Sequence, residues 1–262
     1  MNTRINQEKT SYGNSIKTLF SLSVISGLIL ATAAIGSTKK IFIPEHVKND
    51  TSISKSEKMR DASKPAHKWY AEAWKQYKNG EYSDAAGSFK EVIQQNPRHI
   101  KAWVNLARTK IKLSHFGEAL DALEKALELD STYSDAWFVR GRAMHEIGET
   151  VKAVSDYKKA ISLKEHNPYA WNNLGFLHIE LGEYEKARDA LEKAVAQKSD
   201  VAWFCNNLGV AQERLGDFDE AADAFAKALE LNPDYDKART SLERVEKRIE
   251  KSLETDFDGC GC

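Results

Sequence analysis

Between residues 66 and 253 the apolar positions keep helical spacing, stop at short polar breaks, and resume. Residues 168–201 show the pattern most clearly. Trp171, Leu174, Gly175 and His178 fall at i, i+3, i+4 and i+7, one face of a helix. Gly182 and Glu183 interrupt it, and Tyr184, Ala187, Leu191 and Ala194 open a second face. The segment therefore predicts two helices joined by a tight turn. Gly175 and Ala187 are small enough for the helices to approach closely, and Trp171 is expected to fill the space between them.

The pattern recurs with a constant period. Stepping back from Trp171 by 34 residues gives Trp137, Trp103 and Trp69; Ala187 becomes Ala153, Ala119 and Ala85, with Ala221 one step forward. Gly182 maps onto Gly148, Gly80 and Gly216, and Ser114 fills the remaining slot. Five copies follow without insertion or deletion, at 66–99, 100–133, 134–167, 168–201 and 202–235. One helical hairpin cannot bury its apolar face alone, whereas stacked copies can. The columns (Trp, Leu-Gly, Gly, Tyr, Ala, Phe, Ala) resemble the tetratricopeptide repeat over residues 66–235. Two departures stand out. Cys205 occupies the tryptophan column, and the closing proline survives only at Pro97 and Pro233; Ser131, Glu165 and Ser199 replace it elsewhere, which predicts looser turns there. The resemblance implies an all-α, right-handed superhelical solenoid of five hairpins. After Pro233, Ala238, Leu242, Val245 and Ile249 form one narrow stripe among charged residues. That stripe predicts a capping helix over 236–253, covering the face the last hairpin leaves open, and a flexible tail over 255–262.

Ahead of the repeats, residues 18–38 carry no charge and follow Arg4, Lys9 and Lys17. As a helix this run would span about 31 Å, enough to cross a bilayer's hydrocarbon core. Residues 1–38 therefore read as a single transmembrane anchor with the repeats on the non-cytoplasmic side. The other possibility is a signal peptide cleaved at the small residues Ala31-Thr32-Ala33, which would leave the repeats secreted or periplasmic. Residues 39–65 read as a linker, reaching about 30 Å if flexible.

Composition narrows the chemistry. Charged residues make up 29% of the 262, the net charge is −1, and no lysine- or arginine-rich block exists, so no nucleic acid partner is expected. The seven histidines have no metal-ligand spacing, and phosphate loops and nucleophile elbows are missing. An enzyme, a cofactor and a resident metal are all unexpected. Three cysteines are too few for a disulfide framework. Cys205 suits a small buried hydrophobe. Cys260 and Cys262 are weak candidates for a thiol-redox or soft-metal pair, with the repeats then serving only as a docking surface.

The stronger expectation is a protein or peptide partner. In the repeat family the first helix of each hairpin lines a concave surface, and one column on that face runs Ala71, Asn105, Val139, Asn173, Asn207. Asparagine is a weak mid-helix residue, but its amide can pair with a peptide bond. The column resembles the asparagine ladder in the repeat domain of O-linked N-acetylglucosamine transferases, carried over to Asn105, Asn173 and Asn207 only. Tyr70, Trp74, Phe138, Tyr169, Phe176 and Trp203 share the inward columns, as do Arg108 and Arg142, which would select acidic or carbonyl-rich positions. Aromatic rings and arginines are the residue types that anchor interfaces. Tyr70 and Trp74 stand where the family's chaperone-binding carboxylate clamp needs Lys and Asn, so a chaperone tail is not the expected ligand. The sequence thus predicts an interaction scaffold holding an extended peptide.

Overall fold

The computed structural model describes residues 66–258. Among them there is no strand, and eleven helices follow one another. α1 (Ala66–Lys78) pairs with α2 (Tyr82–Gln95), α3 (Ile100–Lys112) with α4 (Phe116–Leu129), and α5 (Ser134–Glu146) with α6 (Thr150–Leu163). α7 (Pro168–Glu180) pairs with α8 (Tyr184–Gln197) and α9 (Ala202–Leu215) with α10 (Phe218–Leu231), before α11 (Asp236–Asp258). The expected all-α solenoid is what forms. The candidate anchor at 18–38, the linker, Cys260 and Cys262 lie outside the described residues. Among the described residues, no helix is long and apolar enough to cross a membrane.

Every hairpin turns in the same way. The first helix ends on a residue with left-handed backbone: Gly80, Ser114, Gly148, Gly182 or Gly216. The next amide then donates to a carbonyl five residues back, as from Glu81 to Gln76 at 2.9 Å and from Glu183 to His178 at 2.8 Å. This closure satisfies carbonyls the helix end would otherwise orphan. The two helices then meet through a small residue facing a large one. A Cβ on Gly175 would fall 2.5 Å from Leu191 Cγ, and one on Gly141 or Gly209 would fall 2.9 and 2.8 Å from the rings of Tyr157 and Phe225.

The tryptophan column differs from its expected role. Trp69 is buried, but Trp103, Trp137 and Trp171 are only half-buried. Their indole N–H groups donate to the carbonyls of Pro97 (2.8 Å), Ser131 (2.8 Å) and Glu165 (3.1 Å). Each ring therefore clasps the turn between repeats, and Phe89, Leu123, Tyr157, Leu191 and Phe225 fill the hairpins instead. The clasp recurs at all three turns, but their backbones differ: His99 donates to Asn96 at 3.0 Å and Tyr133 to Asp130 at 3.2 Å, whereas in the Glu165 turn Asn167 donates to Glu165 at 2.9 Å instead. Arg239 makes the equivalent bond to Pro233, at 2.5 Å. Cys205, at the fourth boundary, is a buried thiol whose pKa is pushed up by burial.

The cap packs on α10 and α9. Ala238 and Val245 are fully buried, and Leu242 and Ile249 lie against Ala221 and Phe225. Arg244 adds two hydrogen bonds to the Glu213 carboxylate, at 2.7 and 2.6 Å. The helix continues past residue 253 to Asp258, into the stretch expected to be a flexible tail. Leu253 and Phe257 prolong the four-residue register of Ile249, and the first helix-breaking residue is Gly259.

Candidate peptide-binding cleft

First helices of neighbouring repeats touch, α3 against α5 and α7 against α9, forming one wall. Where α5, α7 and α9 approach, a cleft of about 330 Å³ opens. It brings together five of the expected residues: Arg142, Asn173, Phe176, Trp203 and Asn207. His145, Glu146, Tyr157, Asn172 and Tyr235 complete the lining.

The floor is a chain of amides. Asn207 Nδ2 donates to Asn172 Oδ1 at 3.1 Å, Asn172 Nδ2 to Asn173 Oδ1 at 3.3 Å, and Asn173 Nδ2 to the Tyr157 hydroxyl at 3.3 Å. Each amide keeps a second N–H beyond the one used here. Burial pushes the Tyr157 hydroxyl up to about 12, so it stays protonated. Phe176 and Trp203 stand over this row, 37% and 39% exposed. Tyr169 lies outside the lining and supports Trp203 from the side, its ring 6.2 Å from that indole and 5.6 Å from Phe204.

The remaining expected residues lie outside the lining, nearer the first repeat, with Phe138 reaching the cleft's edge at 5.8 Å from the Tyr157 ring. Asn105 is buried and donates to the Tyr70 hydroxyl at 2.8 Å, so it does not join Asn173 and Asn207. Val139, between them in the column, is fully buried. Tyr70 stacks on His99 at 5.0 Å. Arg108 pairs with Asp135 and lies 6.0 Å over Phe138. Trp74 is exposed and stacks flat on Tyr77 at 5.4 Å. A second cavity, of about 510 Å³, includes Asp130 and Asp135 but none of the expected residues; its two carboxylates are engaged by Thr132 and Arg108. Among the described residues, no group of three His, Cys, Asp or Glu side chains is placed to hold a metal.

Sequence reasoning missed Tyr157, which reads as pure core, and Tyr235, which lies beyond the fifth first helix. Asn172 was discernible in the doublet Asn172-Asn173, repeated at Asn206-Asn207.

Family models described as tetratricopeptide repeat match residues 76–137, 168–200 and 202–244, and one described as TPR repeat matches 141–182. Among solved structures, the chain is similar to MamA protein, with 27% identity and a TM-score of 0.54 over 66% of this chain and 94% of that one. It is similar to TTC0263, described as a thermophilic TPR protein in Thermus thermophilus (24% identity, TM-score 0.57, 69% and 98% covered). YrrB, described as a TPR protein with an unusual peptide-binding site, shares the fold at 18% identity (TM-score 0.54, 74% and 96% covered). No curated protein matches the chain.

Proposed function

Because the chain is built of tetratricopeptide repeats, we propose that it is a protein-interaction scaffold holding an extended segment of a partner along its first-helix wall. The observation that carries this is the pairing of two half-exposed rings, Phe176 and Trp203, with the row of amides beneath them. A buried aromatic anchor is worth more than about 2 kcal/mol at an interface. A neutral amide bond contributes about 0.5–1.5 kcal/mol. The rings therefore set affinity, and Asn173 and Asn207 set the path of the bound backbone. Trp74 extends the wall toward the first repeat, while Asn105 and Arg108, engaged by Tyr70 and Asp135, shape it without offering free groups. Residues 18–38 would tether this scaffold to a membrane with the repeats on the non-cytoplasmic side; a mature N-terminus near Ala34 would replace the tether with a cleaved signal.

Panning a random peptide library on the full-length protein in detergent supplies ligands for the test. Trp203→Ala and Phe176→Ala should each weaken selected peptides about tenfold with helicity unchanged. Asn173→Ala combined with Asn207→Ala should cost less, whatever the peptide's side chains. Unchanged affinity in these variants, with loss on charge reversal at the exposed outer residues Lys158 or Glu192, would move binding to the opposite face.

A further inference from the structure

We infer that the cleft contains a single anion subsite, made by Arg142 and the Tyr157 hydroxyl, and that the bound segment delivers a carboxylate to it; this rests on the peptide-binding role proposed above. The repeat period exposes the subsite by comparison. Arg108 and Arg142 occupy the same register one period apart. Arg108 has its counterion in Asp135, supplied by the next repeat. The residue one period after Asp135 is Tyr169, which carries no charge. The built-in partner is thus missing at the following boundary, and Arg142 has no ion pair among the described residues.

Neighbouring groups do not supply the missing charge. Glu146, one helical turn on, lines the cleft without pairing with Arg142. Arg140 is taken up by two hydrogen bonds to Asp156, at 2.9 and 2.7 Å, and lies 4.3 Å over Trp137. His145 pairs with Glu180 at 3.0 Å. Tyr157 is 1% exposed and its oxygen accepts from Asn173, while its own proton is given to no described acceptor. Burial keeps that proton in place; the charge of Arg142 acts on the same hydroxyl, opposed by the carboxylates of Glu146 and of Asp156, the latter held by Arg140. A half-buried guanidinium beside an unspent O–H donor fits a carboxylate, which accepts charge-assisted bonds from both. An amide in its place would leave the cation unmatched in a partly dry site.

Two sources present this chemistry, an Asp or Glu side chain and a chain's C-terminal carboxylate. Bead-bound random nonapeptides separate them when pools with one position fixed as Glu or Gln, and pools ending in free acid or amide, are probed with full-length protein. One carboxylate form should bind about tenfold over its neutral counterpart. Arg142→Gln should erase that preference, and Tyr157→Phe, which keeps the buried ring, should reduce it severalfold. Tyr169→Asp should also erase it by restoring the counterion seen one repeat earlier, whereas Arg108→Gln should leave it intact. Equal binding of acidic and neutral pools, or a preference surviving Arg142→Gln, overturns the subsite. Trp203→Ala distinguishes that failure from a larger one. If it lowers binding of every pool, the cleft stands without its anion site. If it changes none, or if no pool binds wild type, both inferences fall.

Discussion

Ser114 is the one non-glycine residue among five equivalent left-handed turns, at φ 59°. A Cβ in that conformation costs about 1–2 kcal/mol, partly offset by glycine's greater loss of chain entropy. Ser114→Gly should therefore raise unfolding stability by roughly 1 kcal/mol in urea melts; a loss would mean the side chain stabilises the turn. His178 tests the residue scale in another way. It is 4% exposed, and its Nδ1 lies 2.5 Å from Glu183. Burial, assisted by Lys158 and Lys186, holds its pKa below the usual value of 6.5, against the pull of Glu183. The unfolded chain then binds the proton first as pH falls through about 6.5, so stability drops on acidification. The urea midpoint should fall more between pH 7.5 and 5.5 in wild type than in His178→Gln, and equal falls would contradict this. Glu183, held low chiefly by Lys186 and then His178, adds stability that is lost as pH falls from the ordinary carboxylate range through its lower folded-state value. Single columns were legible as core or turn, yet the tryptophans misled. Periodicity marks a residue as facing inward but not which neighbour it meets, and the indole's partner lies on a turn carbonyl with no side-chain signal.

Helices and their order followed directly from the period, because hairpin and repeat share one length and four of the five breaks carry the glycine that a left-handed turn favours, with Ser114 at the other. The far end of α11 did not, since its charged faces weaken the apolar stripe from which a boundary is drawn. The amide column was half legible. Asn173 and Asn207 meet in the cleft, whereas Asn105 turns to Tyr70, a contact between repeats that the column does not encode. The cap carries this scale's prediction. Solenoid stability is largely nearest-neighbour, and α11 covers Ala221 and Phe225. Truncation after Tyr235 should speed amide exchange through α10 while leaving α3 and α4 protected. Unchanged protection in α10 would show that the cap contributes nothing.

The cleft belongs to the array and to no single repeat. Its lining comes from three first helices, from Tyr157 on a second helix, and from Tyr235 beyond the last hairpin. A repeat read alone hides such a site, and only the comparison of Asp135 with Tyr169 across a period reveals that Arg142 has lost its partner. The same geometry decides which face a partner uses. The most direct measurement is photo-crosslinking of a selected peptide to full-length protein carrying benzoylphenylalanine at one position at a time, mapped by mass spectrometry. Probes replacing Phe176 or Trp203 should capture the peptide, and probes replacing Lys158 or Glu192 on the outer helices should not. Capture at 158 or 192 with none at 176 or 203 would contradict a binding face on the first-helix wall.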